Sequence, residues 1–381
     1  MVKSFYLDNA ATTPIKKEVI EAMKPYLTDV WYNPNSIYKD ASVAKEAIET
    51  ARKDIAKKIG VKPDEIYFTS GGSESNCWAI QGFVKCWETR GYTPIVITSS
   101  IEHDSVLSCV NDLNCQTWEL PVDRMGLLAI EALEAILREL SQNKSNRVLV
   151  SIQDTNNEIG TRQAINTIAD IVHSYGYVFH SDMVQSTHSL DDVILKTDMA
   201  SFSGHKFGAP KGVGFLYKKD GVDIHPLIYG TQNHYMRGGT ENVAYIVGMA
   251  KAFADLKYDA NDIAFNNARI AYKMRRKGIR FKVNGQPVTI LNVTLAHQVS
   301  AEALIHTMDI SGIQISAGSA CNAHEDTPSH VLLAIGCSEE DAMRTIRISP
   351  SAQQLDDEDI DYIVDELANA IMLLTGEKIG E

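Results

Sequence analysis

Nowhere in the 381 residues does an apolar run approach the ~20 needed to cross a membrane as a helix, and the opening stretch, MVKSFYLDNAATTP, lacks the apolar core of a secretion signal. A soluble, cytoplasmic protein is expected. Basic residues are scarce relative to acidic ones: 36 Lys and Arg stand against 49 Asp and Glu, a net charge of −13, which removes the broad electrostatic footprint that a nucleic-acid backbone requires. Neither nucleic acid nor membrane is expected as a direct partner. The six cysteines, Cys77, Cys86, Cys109, Cys115, Cys321 and Cys337, include no CxxC pair, and a chain of this length folds without disulfides. Reduced thiols and no metal site are expected. Internal repeats, low-complexity tracts and long Pro, Gly or Ser linkers are missing as well. What the chain does have is a 44% share of hydrophobic residues, enough for two domains sharing an extensive core.

From about Ile15 to Tyr217, short apolar runs alternate with longer amphipathic stretches, the βαβ rhythm of a mostly parallel sheet covered by helices. Strands are predicted at 65–69, 94–98, 147–152, 177–180 and 212–217, and helices at 40–60, 74–89, 129–140 and 165–175. After about Asp255 the pattern changes to a charged helix through Arg276, a strand around 288–294, further short elements and a C-terminal helix from Asp357. That reads as a smaller α+β domain. In open α/β sheets, ligands bind beyond the carboxyl ends of the strands, and several polar motifs fall there.

The first of these is Ser201-Phe-Ser-Gly-His-Lys206, a lysine among small polar residues just before a strand. A lone lysine is usually a surface residue. Here Asp182 follows another strand end, and a carboxylate in that place can keep a pyridine nitrogen protonated, which is what makes pyridoxal phosphate an electron sink. Ser70-Gly-Gly-Ser-Glu-Ser-Asn76, between a strand and a helix, offers backbone N–H groups and hydroxyls to a phosphate. His103 also comes directly after a strand, where its ring could stack on the pyridine. Taken singly, a glycine-serine turn and a histidine are more often structural.

Together these segments resemble the cysteine desulfurase family of class V aminotransferases. The likeness runs through Tyr6-Leu-Asp-Asn-Ala-Ala-Thr-Thr-Pro14, Asn33-Pro-Asn-Ser36, Phe68 to Asn76, Glu102-His103, Asn156-Asn-Glu-Ile-Gly160, Asp182, Gln185, Ser203-Gly-His-Lys206, Arg237-Gly-Gly-Thr-Glu-Asn-Val243 and Ser316-Ala-Gly-Ser-Ala-Cys321. The resemblance implies the type I fold of pyridoxal-phosphate transferases, the aspartate-aminotransferase-like α/β architecture. Residues 12–255 would form the large cofactor domain with its mostly parallel sheet. Residues 1–11 and 256–381 would form the small α+β domain that carries the catalytic cysteine loop.

Carried over position by position, the resemblance makes Lys206 the cofactor-bearing lysine and general base, Asp182 the partner of the pyridine nitrogen, and His103 the ring-stacking, proton-moving residue. Gln185 and Asn157 would touch the cofactor's ring oxygen and nearby atoms, while Gly72, Ser73, Ser203 and His205 would hold its phosphate. Thr240 would reach the phosphate of a neighbouring subunit, so a homodimer is implied. Arg347 would grip the carboxylate of L-cysteine with help from Asn33, with Asn157 also near the substrate. Cys321, in a small-residue stretch that reads as a mobile loop, would accept the sulfur as a persulfide, leave alanine behind and pass the sulfur to an acceptor protein. Iron–sulfur assembly, tRNA thiolation and DNA phosphorothioation all draw on such enzymes. Selenocysteine lyase or another class V aminotransferase is the alternative, and a degenerate scaffold that merely binds a sulfur-transfer partner is a rival of another kind. The chain departs from the family pattern at Tyr229 to Tyr235 and at Ser349-Pro-Ser351, and carries Gly72-Ser73 where alanine-threonine and Tyr38 where histidine is usual.

Overall fold

Branched and aromatic side chains suit a sheet covered on both faces, and the runs rich in them become the strands of this protein. The computed structural model describes residues 3–190, 196–257, 259–317 and 327–379. In chain order the strands are β1 (Phe5–Tyr6), β2 (Ile66–Thr69), β3 (Thr93–Ser99), β4 (Gln116–Leu120), β5 (Asn146–Ser151), β6 (Val178–Asp182), β7 (Met199–Ser203) and β8 (Gly214–Lys218). They continue as β9 (Phe281–Asn284), β10 (Leu291–Leu295), β11 (Ile313–Gln314), β12 (Ser316–Ala317) and β13 (Thr345–Ile348).

A seven-stranded sheet runs in the order β2-β8-β7-β6-β5-β3-β4. Only β8 is antiparallel to its neighbours, so the sheet is mostly parallel, as expected. The carboxyl ends of β2, β3, β5, β6 and β7 therefore share one edge, at Thr69, Ser99, Ser151, Asp182 and Ser203. The segment at or after each of these five strand ends carries a motif residue. A second, antiparallel sheet in the order β12-β13-β10-β9 pairs Arg347 with both Ser316 and Asn292, while β1 and β11 form a separate parallel pair. Leu291, Val293, Leu304, Ile346, Ile360 and Leu367 are buried together around that sheet, and Leu7 joins them from the other end of the chain.

Among the strands not legible in the pattern, three have a clear physical reason. β4 lies at the sheet edge and reads Gln-Thr-Trp-Glu-Leu, largely exposed, so it has little apolar periodicity to show. β7 is fully buried but reads Met-Ala-Ser-Phe-Ser, and its small polar residues disguise it as part of the lysine motif that follows. β9 is a half-buried run of only four residues. The helix expected from Glu74 begins at Gly72 and continues to Thr89, which makes Gly72 and Ser73 its first turn.

The departure at Tyr229 to Tyr235 has a definite shape. Asn233, His234 and Tyr235 take φ values of 45°, 57° and 66°, three successive left-handed residues. Asparagine tolerates this conformation, but the others are strained by roughly 1–2 kcal/mol each. A buried cation explains why the strain is kept. Arg52 is 2% exposed, lies 4.8 Å from the Phe68 ring centre, donates to the Ile66 carbonyl, and donates at 3.3 Å to Asn233 Oδ1. The turn thus delivers a polar acceptor to a guanidinium that water cannot reach.

Candidate active site

The end of β7 leads through a tight turn, Gly204–Lys206, that aims Lys206 back across the sheet edge. Its Nζ donates to the carbonyls of Ala10 at 2.6 Å and Ala11 at 3.0 Å. Gln185 Nε2 donates to the same Ala10 carbonyl at 2.8 Å. The Ala10–Ala11 segment is itself fixed, because Ala10 N donates to Ser349 Oγ at 3.0 Å and Thr13 Oγ1 donates to the His205 carbonyl at 2.9 Å.

Asp182, at the end of β6, is almost buried. One carboxylate oxygen accepts from the Val184 N–H at 2.9 Å and the other from Asn76 Nδ2 at 2.7 Å. The same amide also donates to Ser105 Oγ at 3.0 Å. Ser105 N donates to His103 Nδ1 at 3.0 Å, capping the helix Asp104–Asn111. Since Nδ1 accepts from this N–H, the proton of neutral His103 sits on Nε2. Asn76 and Ser105 thus tie the carboxylate to the imidazole, a link that sequence reading missed.

Gly72, Ser73, Ser203 and His205 gather at the start of the helix Gly72–Thr89, where N–H groups without intrahelical partners favour an anion. A Cβ at 72 would lie 2.5 Å from Val184 Cγ2, so a larger residue there would have to displace the Val184 side chain. Burial, assisted by Lys206 and Lys211, pushes His205 down to about 4, so at neutral pH its imidazole is uncharged.

Arg347, on β13, is 1% exposed. It donates through Nη2 to Asp8 Oδ1 at 2.8 Å and through Nη1 to the Asn157 carbonyl at 2.8 Å. Two further carboxyls lie close by. Burial pushes Glu102 up to about 8, against the pull of hydrogen bonds from Ser99 Oγ and the Gln153 N–H. Burial also raises Glu158, which accepts from Ser329 Oγ at 2.5 Å.

Ten of the expected residues, Lys206, Asp182, His103, Gln185, Asn157, Gly72, Ser73, Ser203, His205 and Arg347, line one cavity of about 380 Å³. Asn33 and Thr240 do not. Asn33, expected beside Arg347, is exposed and accepts from the Asn35 N–H at 2.9 Å in its own turn. Thr240 is exposed too, next to Glu241, which accepts from Asn35 Nδ2 at 3.1 Å. Cys321 lies outside the described residues. The chain before it ends in β12, hydrogen-bonded to the strand of Arg347, and the chain after it contributes Ser329 to Glu158 and His330 to the cavity wall. His330, Asp8, Glu158, Asn76 and Ser105 had been assigned no role. Asp8, Glu158 and Asn76 stand inside the quoted motifs, which was the available signal; for His330 and Ser105 there was none.

The family model of class-V aminotransferases matches residues 5–363. The cysteine desulfurase IscS of Methanosarcina thermophila is 39% identical, over an alignment that covers 98% of this chain and 93% of the relative. Among solved structures, a NifS-like protein is 31% identical with a TM-score of 0.85, covering 98% of this chain and all (100%) of that one. The structure of SspA in complex with cysteine is 34% identical with a TM-score of 0.78, covering 93% and 100%. With Lys206, Asp182 and Arg347 converging on one cavity and these relatives matched nearly end to end, the chain belongs to the class-V aminotransferases, a pyridoxal-phosphate-dependent family, and within it to the cysteine desulfurases.

Proposed function

We propose that this enzyme takes the sulfur of L-cysteine onto Cys321, releases alanine and delivers the resulting persulfide to an acceptor protein. The observation that carries the reading is the cavity itself, where a lysine, an anchored carboxylate, a histidine and a buried arginine face a shared space. The residues fit pyridoxal phosphate. A glycine packed closely against Val184 and the first turn of a helix offer a phosphate cradle at one end, and Asp182 stands ready for a ring nitrogen at the other. When bound, the cofactor supplies an electron sink that acidifies the substrate's Cα–H and weakens its C–S bond.

The chain's own groups divide the remaining work. Asn76 and the Val184 N–H hold Asp182 in place for the ring nitrogen. Lys206 moves the Cα proton, its reach set by the Ala10 and Ala11 carbonyls. Gly72, Ser73, Ser203 and His205 hold the phosphate, Gln185 and Asn157 orient the ring, and Arg347 takes the substrate carboxylate as Asp8 yields part of its hold. Asn33 and Thr240 act across a homodimer seam. This reading is supported by their exposure and by the neighbouring Trp31 and Tyr38, 69% and 52% exposed, a large apolar surface for a protein to leave in water.

The test of the reaction is to supply L-cysteine to the purified holoenzyme with a reducing thiol that frees the persulfide sulfur as sulfide and to follow alanine and sulfide, with keto-acid transamination and selenide release from L-selenocysteine as parallel assays. Equal alanine and sulfide support the proposal, whereas transamination without sulfide rejects it. Light scattering of the holoenzyme should give the mass of two chains. A single-chain mass would remove the shared-site arrangement.

A further inference from the structure

Of the groups gathered at the first turn of the helix Gly72–Thr89, His205 has two ring nitrogens to apportion, and one of them is already engaged. Its Nδ1 lies 3.1 Å from Thr12 Oγ1. Thr12 and His205 line one pocket with Gly72, Ser73 and Ser203, beside the main cavity. Both residues are braced through their backbones. Tyr6 Oη donates to the Thr12 carbonyl at 2.9 Å, while the N–H of the next residue, Thr13, donates to the His205 carbonyl at 2.8 Å.

The number of hydrogens decides which way the side-chain bond runs once a phosphate is present. Burial, with Lys206 and Lys211 nearby, holds the imidazole uncharged at neutral pH, so it carries a single hydrogen. A phosphate dianion only accepts. With the hydrogen on Nδ1, the ring would turn a bare lone pair toward the anion, and two acceptors would face each other. A threonine hydroxyl both donates and accepts, so it can give its own hydrogen to Nδ1 and leave the ring's hydrogen on Nε2.

We propose that Thr12 is a positioning residue for the cofactor, its hydroxyl donating to His205 Nδ1 and so fixing the tautomer whose Nε2–H serves the phosphate. This rests on the placement of the phosphate proposed above and deepens it. Thr12 acts through the ring and touches no part of the cofactor. The phosphate is then held by uncharged donors: the His205 N–H, the Ser73 and Ser203 hydroxyls and the first N–H groups of the helix.

The experiment equilibrates purified holoenzyme against falling concentrations of pyridoxal phosphate and reads cofactor retention from visible absorbance. Thr12→Val keeps the volume but loses the hydroxyl, Thr12→Ser keeps the hydroxyl, and His205→Ala removes the ring. A hydrogen bond to a charged group is worth about tenfold or more in affinity, so His205→Ala is expected to raise the half-saturation concentration by at least that factor. Thr12→Val should raise it by about tenfold and Thr12→Ser should stay near wild type. In the His205→Ala background Thr12→Val should add nothing, because the group it acts through is gone. Pyridoxal, which has no phosphate, should bind wild type and Thr12→Val alike. Nitrogen NMR of wild-type holoenzyme with isotope-labelled histidine should show the His205 hydrogen on Nε2, the signals being identified by their loss in His205→Ala.

Wild-type affinity in Thr12→Val overturns the proposal. Equal weakening with and without the His205 ring overturns it too, since the hydroxyl would then be a direct contact or a brace. A hydrogen on Nδ1 of wild-type His205 does so even if Thr12→Val fails to fold. Should His205→Ala hold pyridoxal phosphate as tightly as wild type, the phosphate role of His205 itself falls, and this inference with it.

Discussion

Lys206→Ala is expected to lower alanine release from L-cysteine at least a thousandfold, the upper part of the range associated with losing a general base. Neither of two neighbouring groups can replace the side chain. Gln185, the other group on the Ala10 carbonyl, carries an amide that cannot take a proton, and His205 is held uncharged as a weak base by burial. The variant should still fold, since the hydrogen bonds described from Nζ run to two backbone carbonyls at the cavity rather than into the core. The measurement is single-turnover alanine formation, with borohydride reduction and peptide mapping of the wild type to locate the attached cofactor. Reduced cofactor on any other lysine, or a variant within tenfold of wild type, would remove Lys206 from its assigned place.

Cys321→Ser is expected to cut sulfide release by a similar factor while the cofactor's spectral response to L-cysteine persists. Hydroxyl for thiol changes little in volume but removes the group able to form a persulfide. The hydrogen bonds described for Lys206, Asp182 and Arg347 run to other groups, so binding and Cα proton removal should go on. One other thiol sets a demanding control. Cys77 is half-buried, and a hydrogen bond with Cys109 holds its thiol at about 7. It lies 3.6 Å from the Ser105 carbonyl, one helical residue from Asn76. Cys77→Ala should leave sulfide release near wild type. If it abolishes release and Cys321→Ser does not, the sulfur acceptor has been misassigned.

Asp182 and the phosphate loop were legible because each stands at the end of an apolar strand and Lys206 because it stands just before one, and strand ends show up as abrupt changes between branched apolar and small polar residues. The same rule failed at β7, whose own residues are small and polar, so the lysine motif was found while the strand that aims it was not. His330 escaped for a different reason. It comes from a short helix, His330–Ala334, distant in sequence from every motif strand, and its place in the cavity rests on a backbone carbonyl contributed by Glu102. A contact to a carbonyl leaves no trace in the partner's residue type. Asn33, expected beside Arg347, does not line the cavity of its own chain, whereas Thr240 was expected to serve a neighbouring subunit.

The seat of Lys206 has one more consequence, and it concerns the order of events when the chain is made. Phe5 and Tyr6 pair with Ile313 and Gln314, Asn9 N donates to the Ser349 carbonyl at 3.0 Å, and Asp8 holds Arg347. The carbonyls that receive Lys206 are thus fixed only when residues from opposite ends of the sequence have met. Such distant closures come late, because their loop entropy must be met before they are rewarded. A nascent chain still short of residue 349 would possess the lysine, the aspartate and the phosphate loop without the strap that aligns them. Cofactor capture in this enzyme should therefore follow synthesis rather than guide it, and a circular permutant that reopened the chain between Leu7 and Thr13 would mature with its lysine unaimed.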